Sequence, residues 1–183
     1  MSQAVWARDL ARSLLEELLP RRWSHTQGVA AQAERLENIL GTDTDLVTAA
    51  AWLHDIGYSP ALASTGLHPL DGARYLRDVE KADQRVCRLV AHHSCAVAEA
   101  DQRGLVGQLV EEFAPERDVL AKALIYCDMT TDPDGHRVTF EERLDEIQKR
   151  YGPDHLVSRS MTIAAPAIRN AIAEVELLRS RTR

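Results

Sequence analysis

The chain has 183 residues, 28 acidic against 22 basic side chains, and a formal net charge of −6. That length can bury a sizeable core without covalent staples, and the charge has the wrong sign for a general nucleic-acid or anionic-membrane binder. No apolar run approaches the roughly 20 residues that a membrane helix needs.

In chain order, the apolar spacing predicts helices almost throughout. Val5, Leu10, Leu14, Leu15 and Leu18 mark a first stripe that stops at Pro20. A second helix is expected from about Ser24 to Leu40, ending at Gly41. A third, Ala-rich helix runs from Asp45 to Ile56 and carries His54-Asp55 in its last turn. Pro69, at a first helical position where a missing N–H costs nothing, opens the next helix beside His68. Gly72, one turn on, lies where a neighbouring helix could come close. Asp83 caps a helix through Val86, Leu89 and Val90 to His92-His93, followed by a polar bend from Ser94 to Asp101. Further helices are expected over Pro115–Met129, Phe140–Tyr151 and Pro153–Leu178, with a short extended piece near 136–139. The fold class is therefore all-α, read as one domain over 1–183. Its core spans about 20–131, and C-terminal helices over 139–180 pack against it.

Cys87, Cys95 and Cys127 are odd in number and lack CxxC spacing, so they read as small buried groups and not as a disulfide framework or zinc knuckle. With an N-terminus that lacks a charged-then-apolar signal pattern, they point to a cytoplasmic protein.

His25, His54-Asp55, His68, His92 and Asp128 form an ordered set of imidazoles and carboxylates, each in or beside a helical segment. Such groups ligate divalent cations, and such a site can activate water at neutral pH. Asp55, near a helix C-terminus, meets the unfavourable end of the macrodipole, which a cation would offset. Asp128 interrupts the apolar run Ala123–Cys127, where an unpaired carboxylate is costly to bury. His93 is a further ligand candidate or a support for the site, whereas His136 and His155 sit in polar surroundings and read as surface residues. The basic residues nearest these landmarks, Arg21 or Arg22, Arg88 and Arg137, are candidates to face a phosphate. The turn sequence Asp132-Pro-Asp-Gly135, directly after Asp128, is expected to wall the site.

Trp52-Leu-His-Asp-Ile-Gly-Tyr58, with His25 upstream and Asp128 downstream, resembles the HD superfamily of metal-dependent phosphohydrolases. The resemblance implies that His25, His54, Asp55 and Asp128 are the four ligands that define the superfamily. His68 and His92 make the chain similar to the two-metal branch, in which Asp55 would bridge the ions. That branch includes the symmetrical diadenosine tetraphosphate hydrolases and, more distantly, mixed-valent di-iron oxygenases. Many members read H-D-I-G-K where this chain has Tyr58, and Arg21 stands where three-metal cyclic-di-GMP phosphodiesterases carry a glutamate. Implied is a hydrolase cleaving a phosphoester or phosphoanhydride of a nucleotide or another small phosphorylated metabolite. The N/O donor set suits two ions of Fe or Mn, with Mg, Co or Ni as further options. An oxygenase with a di-iron pair and a non-catalytic nucleotide-binding sensor are the alternatives. The apolar positions of the last helix suit either the core or a homodimer contact.

Overall fold

In the computed structural model, residues 2–116 and 118–182 are described, and helices carry the chain from end to end. Helix α1 (Gln3–Leu15) begins at Ser2, whose side chain accepts from the Val5 amide, and buries Ala7, Ala11 and Leu15. It is tied to the start of α4 (Thr44–Leu53) through Asp45, which accepts hydrogen bonds from Ser2 Oγ and the amides of Gln3 and Ala4. Helix α2 (Pro20–Glu34) starts four residues earlier than the expected Ser24, and Pro20 opens it instead of merely ending α1. Proline suits that place because the first helical N–H groups have no intrahelical acceptor. The correction matters, since it puts Arg22 and His25 three residues apart on one face of the first two turns.

The rest of the second expected helix breaks into α2 and a single turn, α3 (Glu37–Leu40), before Gly41 at φ 54°. Central α4 is apolar on all sides: Val47, Ala49, Ala50, Ala51 and Leu53 are fully buried. It stops before the His-Asp pair, one turn short of the expected Ile56. His54 is its C-cap, and a 3-10 turn, Ile56–Tyr58, follows Asp55. That tight turn seats Gly57 on the start of α5 (His68–Asp78), where a Cβ on Gly57 would lie 2.0 Å from the His68 carbonyl oxygen. Gly72 faces Gly57 from the other side, so the close approach expected at Gly72 is to this turn and not to another helix.

Helix α6 (Gln84–His92) is capped by Asp83 as expected. A 3-10 turn, His93–Cys95, then replaces the first part of the expected polar bend, and α7 (Ala96–Gln102) and α8 (Val106–Glu112) follow. Asp118 caps α9 (Val119–Met129), four residues inside the expected Pro115 start. Thr139 and Glu142 form a reciprocal capping box at α10 (Phe140–Tyr151). The last helix, α11 (Leu156–Arg181), begins at His155 and runs through Pro166. Among the described residues there is no strand; the extended piece expected near 136–139 appears as an isolated bridge between Thr131 and Arg137. Cys87 and Cys127 are buried free thiols, and the Cys95 side chain lies outside the described ones.

Two apolar clusters fill this frame. The larger joins α1, α2, α4, α5, α6 and α9, and includes a stacked pair, Trp23 and Trp52, with ring centroids 5.3 Å apart. The smaller holds α10 and α11 against the end of α9 through Met129, Phe140, Leu144, Ile147, Ala164 and Ile168. Buried Gln32 donates to the Cys127 and Thr130 carbonyls and to Thr131 Oγ1, fixing the chain just after Asp128. Gly57→Ala should be among the most damaging small substitutions, because its Cβ meets backbone and not a flexible side chain. A loss of about 3 kcal/mol is expected in denaturant unfolding; a loss below about 1 kcal/mol would show that the turn has room to shift.

Candidate metal centre

Helix α2, the turn after α4, the start of α5, the turn after α6 and the end of α9 all deliver a ligand-type side chain to one buried place. His25, His54, Asp55 and His93 are each at most 4 % exposed, and Asp128 is 5 % exposed. Their ligand atoms fall into two groups, His25 with His54 and Asp128, and Asp55 with His68 and His93, each within 4.8 Å. Either group could hold a metal ion.

Three of the imidazoles are fixed by the backbone. Nδ1 of His25 lies 2.9 Å from the Asp132 carbonyl, Nδ1 of His54 is 2.7 Å from that of Ala51, and Nδ1 of His93 is 2.7 Å from that of Val90. A carbonyl oxygen only accepts, so each Nδ1 carries a proton and donates, and each ring turns its Nε2 towards the cluster. These Nε2 atoms face carboxylates and one another. His25 Nε2 is 3.0 Å from Asp128 Oδ1. His54 Nε2 lies 3.4 Å from Asp55 Oδ2 and 3.8 Å from Asp128 Oδ1, buried and without a hydrogen-bond partner. His68 Nε2 and His93 Nε2 are 3.1 Å apart. Imidazole nitrogens and carboxylates converging on one another with an orphaned ring nitrogen among them need a positive charge between them, either protons or a cation. The donor set therefore fits a divalent metal.

Asp55 occupies the junction. Its Oδ1 faces His68 at 3.4 Å and His93 at 3.9 Å, while its Oδ2 faces His54 at 3.4 Å and His25 at 4.0 Å. The same Oδ2 accepts from Arg22 Nη1 at 2.7 Å. Burial would raise the Asp55 pKa, but Arg22 and His54 hold it well below the usual carboxylate range. Burial also opposes ionisation of Asp128, which the His25 contact and the neighbouring imidazoles keep low. His54 is pushed up to about 9: burial works against its charge, and Asp55 overrides burial. His93 is pushed down to about 3, by burial first and then by His68 and His54.

The region of the expected second histidine calls for a correction. His92 does not join the cluster; its Nε2 donates to the Phe113 carbonyl at 2.7 Å. His93 takes the place, because α6 ends at His92 and the next residue begins a tighter turn. The signal was present: Val86, Leu89, Val90 and His93 share one buried helical stripe, and His92 lies beside it. Ser94, which follows at φ 48° in the left-handed region, donates from Oγ to Asp128 Oδ2 and so leaves Oδ1 towards the imidazoles. Nothing in the local sequence pointed to Ser94, and such strain clusters at functional sites.

A cleft partly open to solvent is lined by Asp55, His68, His93 and Asp128. Its cations are Arg22, Arg143 and Arg150. Of the three expected substrate-facing arginines, Arg88 pairs with Glu116 and Arg137 with Tyr126 and Glu176, both away from this cleft. Arg21 pairs with Asp134 and lines an adjoining recess. Arg22 lies 3.9 Å over the Tyr58 ring, which in turn stacks on His68 at 3.8 Å. Tyr58, in place of the frequent lysine, is thus a spacer between a cation and a candidate ligand. The 132–135 turn also has its expected place near the site: the Asp132 carbonyl holds His25, and Gly135 packs on Ser24 and Gly28 of α2.

A family model for the HD domain matches residues 22–175, most of the chain. The chain belongs to the HD-domain family. This superfamily is one of metal-dependent phosphohydrolases, and its bundle is all-α, as found here. The chain is also similar to a tRNA (cytidine(56)-2'-O)-methyltransferase of Picrophilus torridus, with 30 % identity over 92 residues. That stretch is 50 % of this chain and 26 % of the methyltransferase, so only about a quarter of that protein is matched. No solved structure matches the chain significantly. No helix among the described residues is long and apolar enough to cross a membrane.

The geometry distinguishes two adjacent histidines. His93→Ala should lower the metal retained after loading with Mn(II) and desalting, whereas His92→Gln should retain the wild-type amount. Elemental analysis of the two variants checks this, and equal losses would place His92 in the cluster after all.

Proposed function

We propose that this protein is a two-metal phosphohydrolase of the HD superfamily that acts on a nucleotide or another small phosphorylated metabolite. The observation that carries the reading is the position of Asp55, with one carboxylate oxygen towards His25 and His54 and the other towards His68 and His93. In this reading His25, His54 and Asp128 hold one ion, His68 and His93 the other, and Asp55 serves both. A nitrogen and oxygen donor set without thiolate favours Fe or Mn, with Mg, Co or Ni as alternatives. Bound there, such ions would supply a nucleophilic water near neutral pH and Lewis-acid stabilisation of phosphoryl charge.

The protein's own residues do the remainder. Backbone carbonyls of Ala51, Asp132 and Val90 keep three rings in one tautomer, so no reorganisation is needed during reaction. Arg22, held by Asp55 and Tyr58, brings a fixed guanidinium to the mouth of the cluster, where charge on a transferring phosphoryl group would develop. Hydrolysis forms a bond from water oxygen to phosphorus as the bond to the leaving oxygen breaks. The proton lost by the water passes to the leaving oxygen when that group departs as an alcohol, or to solvent when it departs as a phosphate.

The deciding assay is phosphate release from mono-, di- and triphosphate esters under anaerobic conditions with Fe(II) or Mn(II). Release by the wild type should fall by more than about a hundredfold in Asp55→Ala. No release from metal-loaded protein, together with oxygen-dependent substrate consumption, would overturn the reading in favour of a di-iron oxygenase.

Cation uptake should also be pH-dependent with a defined sign. In the metal-free protein His54 stays protonated up to about pH 9, and a cation must displace that proton. Asp55 and Asp128 are already ionised, and His93 is already neutral. Affinity should therefore rise with pH up to about 9, and calorimetry in buffers of different ionisation enthalpy should show proton release on binding. Uptake without proton release would put His54 outside the ligand set.

A further inference from the structure

Helix α10 brings cations to a place where the chain does not fully match them. Arg143 and Arg150 are seven residues apart, two turns along one face, with Glu146 between them. Both guanidiniums donate to the same oxygen, Glu146 Oε2, each at 2.6 Å. One carboxylate answers two cations, and a positive charge is left over. Arg143 is only 6 % exposed, and its bond to Glu146 is the side chain's single hydrogen bond among the described residues. Its Nε is buried without a partner. A guanidinium held this deep with donors unused calls for an acceptor that the chain itself does not provide.

These residues border a recess lined by Arg21, Arg22, His25, Pro133, Arg143 and Arg150. The lining contains no carboxylate. Arg21 and Arg22 are engaged at its edge by Asp134 and Asp55. Arg22, Arg143 and Arg150 also line the cleft of Asp55, His68, His93 and Asp128. The three guanidiniums therefore stand between the cleft and this recess, which reaches His25 of the candidate metal centre and is lined by no carboxylate. Planar guanidiniums are suited to the paired oxygens of a phosphate.

We propose that Arg143 and Arg150, with Arg21 and Arg22 at the rim, form a second phosphate subsite, which holds a phosphoryl group adjacent to the one presented to Asp55 and the histidines. The substrate class is then a phosphoanhydride, an organic diphosphate or triphosphate, in preference to a monophosphate. The substrate assignment rests on the hydrolase reading; the anion subsite does not.

The test separates the two. Full-length protein stripped of metal is titrated calorimetrically with inorganic pyrophosphate and with orthophosphate. Pyrophosphate should bind about tenfold or more tightly than orthophosphate. Arg143→Gln and Arg150→Gln should each weaken pyrophosphate by about tenfold, with part of the loss recovered in Arg143→Lys. Arg150 is less buried than Arg143, so its variant keeps the test alive if Arg143→Gln does not fold. Glu146→Gln removes the competing carboxylate and should tighten pyrophosphate binding, a change opposite to that of a merely structural loss. Equal affinity for the two anions, or unchanged pyrophosphate binding in folded Arg150→Gln, overturns the subsite. Pyrophosphate binding as expected without metal-dependent cleavage of any di- or triphosphate would keep the subsite and overturn the substrate assignment.

Discussion

A single desolvated carboxylate, Asp55, sets the terms for the rest of the molecule. It is 2 % exposed, with Arg22 on one oxygen and imidazoles on both. Burying an ionised carboxylate costs several kcal/mol even after relaxation, so it persists only where compensating charge is held in place. The surrounding architecture meets that demand. Pro20 starts α2 early enough to present Arg22 beside His25, and Gly57 lets the turn carrying Asp55 lie directly on the start of α5, where His68 stands.

Three of the four clustered imidazoles are positioned by a shared device that uses the backbone, while His68 stacks on Tyr58. His54 and His93 each donate to the carbonyl three residues earlier, and His25 to one 107 residues later. Each anchor depends on a local backbone conformation: the end of α4, the end of α6, and the turn that follows Asp128. The two glycines that let this last turn approach α2, Gly28 and Gly135, are therefore part of how His25 is oriented, although neither bears a side chain.

Much of this could be read from the residues beforehand. The helical periodicity, the all-α class and the ordered His and Asp landmarks were visible because each depends on local spacing or on residue type. What escaped notice depended on how helices end. His92 and His93 are neighbours in sequence, and only the change from α-helix to a tighter turn assigns one to the cluster and the other to the Phe113 carbonyl. Arg143 and Arg150 were hidden for a different reason. On an amphipathic, highly charged helix they look like solvated charges, and only the packing of α10 over the cleft shows that one of them is buried. Arg88 and Arg137 are close in sequence to the landmarks, but the twist of α6 turns Arg88 to Glu116, and the extended bridge to Thr131 carries Arg137 to Tyr126 and Glu176.

The contact between His25 and Asp128 closes a loop of 103 residues. Groups so far apart along the chain meet only after α2, α4 and α9 have docked, so no fragment lacking either end of the span from His25 to Asp128 contains the assembled cluster, and a nascent chain cannot form it until Asp128 has been synthesised. A cation held there would grip the finished native state and almost nothing earlier. Its binding energy would accordingly appear less as faster folding than as slower unfolding, a kinetic latch closed after the last long-range contact is made.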